Sequence, residues 1–195
     1  MMKRITVFCG SSSGTESIYE AQAYALGKTL AQLGIGLVYG GAKVGLMGAV
    51  ANGALEHQGE AIGVLPHFLG SKEIAHEGLT ELILVDTMHE RKTKMHELCD
   101  GVITLPGGFG TMEELFEMLT WAQLGLHQKP IGILNLNGFY DELVALIQSM
   151  ADKGFLKPVN QRMLLVDDSI DGLLQQMRSY VAPEVAKWIK NEEET

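Results

Sequence analysis

The sequence is short of the features that mark secreted, membrane-spanning and nucleic-acid-binding proteins. It has two cysteines, Cys9 and Cys99, in neither a C-x-x-C nor a metal-ligand spacing, so neither a disulfide framework nor a structural zinc site is expected. Each lies in or beside an apolar run, which predicts buried free thiols and a reducing compartment. No apolar run approaches the ~20 residues of a membrane span, and the first residues carry no apolar core before a cleavage site. Lys and Arg number 15 against 24 Asp and Glu, a net charge of −9. That balance disfavours the phosphate backbone of DNA or RNA as a partner, because backbone binding needs clustered cations. The expectation is a cytoplasmic protein that binds neither nucleic acid nor membrane.

Several catalytic motifs are missing too. There is no G-x-x-x-x-G-K-[ST], which excludes a P-loop NTPase, and no G-x-G-x-x-G with an acidic residue about twenty positions on, which argues against a dinucleotide. Gly10-Ser11-Ser12-Ser13-Gly14 is not a G-x-S-x-G elbow. The histidines are scattered without an H-E-x-x-H, so no catalytic metal is expected.

What is present is a regular alternation. Apolar, β-rich runs at 5–9, 35–39, 61–65, 82–85, 102–105, 130–134 and 163–166 alternate with helical spacing at 16–33, 46–57, 88–99, 112–124, 139–151 and 170–180. Residues 66–80 read as irregular and polar. Strands alternating with helices predict an α/β protein with a central parallel sheet covered by helices on both faces. The near-continuous apolar character of the strands fits burial on both sides. The length suits one domain over 1–182, with a short helix and acidic tail at 183–195.

Glycine, at 23 residues, concentrates in three segments that each follow a strand and open a helix. These are Gly10 to Gly14, Gly40 to Gly48, and Pro106-Gly107-Gly108-Phe109-Gly110-Thr111. Glycine permits close backbone approach, so such loops can aim several N–H groups at one anion, at the helix end whose dipole favours negative charge. In open parallel sheets, ligands bind outside the carboxyl ends of the strands, where these loops fall. Two charged groups flank them. Thr111 to Glu114 can be read as a capping box, or Glu114 as a carboxylate placed against a sugar whose phosphate occupies the nest. Arg91 and Lys92 can belong to a solvated face with weak pairs among Glu90, Lys94 and Glu97, or can serve an anionic partner at a helix start that otherwise disfavours cations.

The same residues carry a family resemblance. Pro106-Gly107-Gly108-Phe109-Gly110-Thr111-Met112-Glu113-Glu114 resembles the P-G-G-x-G-T-x-x-E signature of the LONELY GUY family, the cytokinin riboside 5′-monophosphate phosphoribohydrolases long labelled lysine decarboxylases. Met88-His89-Glu90-Arg91-Lys92, the tract Gly40 to Gly48 and Thr120-Trp121-Ala122-Gln123-Leu124-Gly125 are similar to its other motifs. The resemblance runs from about residue 4 to 180. It implies a Rossmann-like fold, a homodimer with active sites near its interface, and no cofactor. It implies that Arg91 and Glu114 are catalytic and that Gly107, Gly108, Gly110 and Thr111 hold the phosphate. Glu73, Met88, Lys92, Glu113, Thr120, Gly41 and Ser11 are the further substrate contacts expected. The substrate is then a nucleoside 5′-monophosphate, cleaved to free base and ribose 5-phosphate. A non-catalytic carrier of a nucleotide or molybdenum cofactor is the rival, and a decarboxylase would need a Schiff-base lysine that nothing marks.

Overall fold

The computed structural model describes residues 2–70 and 75–184. Seven strands form one all-parallel sheet: β1 (Arg4–Phe8), β2 (Gly36–Tyr39), β3 (Ala61–Pro66), β4 (Glu81–Val85), β5 (Gly101–Thr104), β6 (Ile131–Leu134) and β7 (Leu164–Asp167). Their spatial order is β4-β3-β2-β1-β5-β6-β7. The chain therefore winds outward from β1 to β4, returns to the other side of β1, and winds out again.

Side-chain alternation along the strands builds two cores. Ile5, Val7, Leu37, Tyr39, Ile103 and Leu105 meet α1 (Ser17–Gln32), α2 (Gly45–Leu55) and α8 (Ile170–Ser179) through Leu26, Leu30, Val50 and Leu173. On the opposite face Phe8, Val38, Val64, Val102 and Ile133 meet α4 (Met88–Leu98) and α5 (Phe109–Gln123) through Met95, Leu115 and Met118, with Tyr140 closing the layer ahead of α6 (Asp141–Asp152). Helices α1 and α2 pack backbone to backbone. A Cβ on Gly27 would overlap the Val50 carbonyl, and one on Gly53 would overlap the Tyr24 carbonyl. So close an approach requires glycine at both points.

The expectation of an irregular 66–80 segment is corrected in part. β3 continues to Pro66 and runs into a single helical turn, α3 (His67–Gly70), and Ala75 bridges to Ala42. A one-turn helix has no room for the apolar periodicity that marks longer ones. The short α7 (Pro158–Gln161) and the 3-10 turn Leu136–Gly138 escaped the pattern for the same reason. The predicted tail helix at 183–195 lies almost wholly outside the described residues, as does Trp188.

The direction of winding reverses between β1 and β5. The loops after these strands leave toward opposite faces and open a crevice at the carboxyl edge. Backbone bonds tie the crevice together: Gly10 N–H donates to the Pro106 carbonyl at 3.0 Å, and Leu46 N–H donates to the Gly10 carbonyl at 3.1 Å. All three glycine segments thus meet at one edge of the sheet.

Candidate active site

Helix α5 starts three residues earlier than its apolar pattern suggests. Its N-cap is Gly108, which has no side chain to offer, so the first-turn amides of Phe109, Gly110 and Thr111 have no capping acceptor. This corrects the capping-box reading of Thr111 and Glu114: Thr111 sits inside the first turn, buried against Gly107, and Glu114 lies in the next. A side-chain cap is found on α4 instead, where the N-cap Thr87 Oγ1 accepts from Glu90 N–H at 3.1 Å, and Glu90 reaches back to accept from Asp86 N–H, one residue before the cap, at 2.9 Å. Glu90 is therefore not a partner of Lys94, which pairs with Glu97 at 3.1 Å.

The backbone around the nest is as close as glycine allows. A Cβ on Gly107 would reach 2.9 Å from Gly10 N, and one on Gly45 would overlap the backbone of Ser11. Gly108 and Gly110 have nothing within 4 Å of an added Cβ, so their outer faces are open to a ligand. Beside them, Gly10, Ser11, Gly107, Tyr19, Leu46 and Phe139 line a cavity of about 180 Å³. Loops one and three therefore meet at this cavity, and the uncapped start of α5 lies beside it. Gly41, at φ +81°, turns the second loop away from β2, and its carbonyl accepts from His76 N–H at 3.0 Å.

Arg91 and Glu114 face each other across the seam between α4 and α5. Arg91 Nη1 lies 3.6 Å from Glu114 Oε1, and Arg91 Nε donates to the Val64 carbonyl at 3.1 Å. The guanidinium lies over Gly40, where any Cβ would overlap it. Met88 Sδ sits 4.0 Å from Arg91 Nη1. Glu114 is only 8% exposed. Burial, opposed by the Arg91 cation, lifts its carboxyl to about 7. Cys9 is buried below, and its thiol is pushed up by burial, with Glu114 adding to the rise and Arg91 opposing it. Lys92 bridges Glu113 at 2.5 Å and Glu117 at 2.9 Å.

The structure thus gathers Ser11, Gly41, Met88, Arg91, Lys92, Gly107, Gly108, Gly110, Thr111, Glu113 and Glu114 at the carboxyl edge. Thr120 is different. It is on α5, nine residues beyond Thr111, about 13 Å along the axis at 1.5 Å per residue, and its hydroxyl donates to the Phe116 carbonyl at 2.7 Å. Glu73 lies outside the described residues. Glu117 was not anticipated. Its position one helical turn after Glu113 was the available signal. Among the described residues no cluster of three or more metal-ligating side chains occurs, and no helix is long and apolar enough to cross a membrane.

Fold and site together define a Rossmann-like α/β protein whose glycine loops offer amides to an anion beside a buried carboxylate–guanidinium pair. Residues 47–177 match the protein family described as possible lysine decarboxylase. The chain is 47% identical over 178 residues to a cytokinin riboside 5′-monophosphate phosphoribohydrolase of Rhodococcoides fascians, covering 91% of this chain and 90% of that protein. It is 44% identical over 179 residues to the Arabidopsis thaliana phosphoribohydrolase LOG2, covering 92% and 84%. The chain belongs to this LONELY GUY family. The fold is also that of the molybdenum cofactor carrier protein of Chlamydomonas reinhardtii, with a TM-score of 0.70 at 22% identity over 92% of this chain and all of that one.

Proposed function

We propose that this protein hydrolyses the N-glycosidic bond of a nucleoside 5′-monophosphate, AMP or its N6-modified cytokinin counterpart, to free base and ribose 5-phosphate. The observation that carries this reading is Glu114: a buried carboxyl titrating near neutrality, facing Arg91, one turn from an uncapped helix start. Such tuning suits a group that must accept a proton at physiological pH.

The phosphate rests on the amides of Gly108, Gly110 and Thr111, with Gly107 and Ser11 completing the nest. Departure of the base builds positive charge on the ribose ring, as in glycosidases. Ionised Glu114 faces that charge and takes a proton from the attacking water. Arg91, held by the Val64 carbonyl, keeps the carboxylate oriented with its rigid fork. Gly41, Met88, Lys92 and Glu113 surround the nucleotide, Thr120 is an outlying contact, and Glu73, outside the described residues, is a further contact. The protein works as a cytoplasmic homodimer with active sites near the interface.

Incubating the protein with AMP or isopentenyladenosine 5′-monophosphate, and following base and ribose 5-phosphate by chromatography, tests the reaction and ranks the two substrates. Nucleotide binding with no base released would move the reading to a carrier. Light scattering at assay concentration tests the dimer, and a monomeric mass would remove it.

A further inference from the structure

Lys92 has two carboxylate partners with different environments. Its own side chain is 14% exposed; Glu117 is 20% exposed and Glu113 is 55% exposed. Both acids sit on α5, one turn apart, and Lys92 reaches them from α4. An exposed ion pair is weak and easily exchanged, whereas a sheltered, charge-assisted one is held more firmly. Glu117 is therefore the anchor, and Glu113 is the partner that an incoming anion can replace.

The anchor matters because lysine is a compact charge on a flexible four-carbon stem. Lys92 follows Arg91 directly, and Arg91 touches Glu114. The Lys92 charge already lowers the affinity of Glu114 for a proton, and without Glu117 the ammonium keeps only its exposed partner Glu113. We propose that Glu117 is a positioning residue for the hydrolysis, fixing Lys92 between α4 and α5 so that its charge serves the nucleotide and not Glu114. This inference rests on the phosphoribohydrolase reading given above.

The charges around Glu114 give the inference a signature. Arg91 and Lys92 face it from α4, Glu113 and Glu117 act on it from α5, and Cys9 lies below it at the end of β1. The cations lower its pKa and the carboxylates raise it. Removing Glu117 deletes an anion and leaves Lys92 on the exposed Glu113 alone, so Glu114 becomes more acidic. Removing Lys92 makes it less acidic.

The experiment is the pH–rate profile of base release from AMP for wild type, Glu117→Gln and Lys92→Met, with the Glu114 carboxyl followed by ¹³C NMR in each. In Glu117→Gln, kcat should fall on the order of tenfold, the scale for losing one charge-assisted hydrogen bond, and the acid limb should move to lower pH. In Lys92→Met the limb should move to higher pH. A Glu117→Gln profile like that of wild type, or one shifted upward, overturns the proposal. If Glu117→Gln does not fold, an unmoved limb in Lys92→Met overturns it as well. The NMR titration reads the same shifts without turnover, so a wild type that releases no base would sink the reaction and leave this test intact.

Discussion

Replacing Glu114 with Gln should remove activity and at the same time stabilise the fold. The carboxyl titrates near 4.5 in an exposed setting and at about 7 in the folded protein. The folded state therefore binds a proton more tightly than the unfolded chain does. Between these values the unfolded chain has released its proton and the folded protein has not, so stability falls as pH rises through this window and levels off above it. Each pK unit corresponds to about 1.4 kcal/mol, so the ionised carboxylate costs the native state about 3 kcal/mol at pH 8. Gln keeps the shape and never ionises. Urea denaturation of wild type and Glu114→Gln at pH 5 and pH 8 measures the difference. The variant should gain about 3 kcal/mol at pH 8 and well under half of that at pH 5, while kcat drops by about 10²–10⁴-fold. A variant that is less stable at pH 8, or whose gain is the same at both pH values, refutes the assignment of a buried, ionising carboxylate.

Other expectations follow from the same geometry. The wild-type acid limb of kcat/KM should lie near pH 7, activity rising as Glu114 loses its proton; full activity at pH 5 would exclude Glu114 as the base. Arg91→Lys should lower kcat on the order of tenfold or more, because a point charge cannot hold both the Val64 carbonyl and Glu114; wild-type turnover would count against the fork. Gly40→Ala should displace the Arg91 guanidinium and reduce kcat with the fold intact by circular dichroism, since the overlap falls on a flexible side-chain end. Cys9 and Cys99 are both buried with thiols pushed up by burial, so a disulfide reagent should label neither until denaturant is added; rapid labelling of the native protein would contradict that burial.

Much of this architecture is legible in the sequence, for physical reasons. A parallel sheet buried on both faces needs continuous apolar strands, and Gly36–Tyr39 and Ala61–Pro66 show them plainly. The site is legible where chemistry restricts residue type, as at the glycines, Arg91 and Glu114. Helix starts were less readable. Thr111 and Glu114 have the spacing of a capping box, but the backbone turns at Gly108 and leaves both inside α5. Periodicity locates apolar faces, whereas a cap is set by the dihedrals of one residue. Glu117 stayed hidden because its value depends on Lys92, which belongs to a different helix 25 residues away. Thr120 shows the converse. A motif resemblance groups it with the site, yet it lies two and a half turns from the nest.

The contact of α1 and α2 through Gly27 and Gly53 bears on the free energy of ligand capture. These helices carry loops one and two at their starts, and a second tie joins the loops at Gly10 and Leu46. Neither loop can wander without dragging a helix that is locked to its neighbour. The Gly10 N–H bond to the Pro106 carbonyl extends the same lock to the third loop, so the amides that receive an anion are held in place by the fold. Binding then forfeits little conformational entropy, and more of the interaction remains for lowering the barrier to bond cleavage.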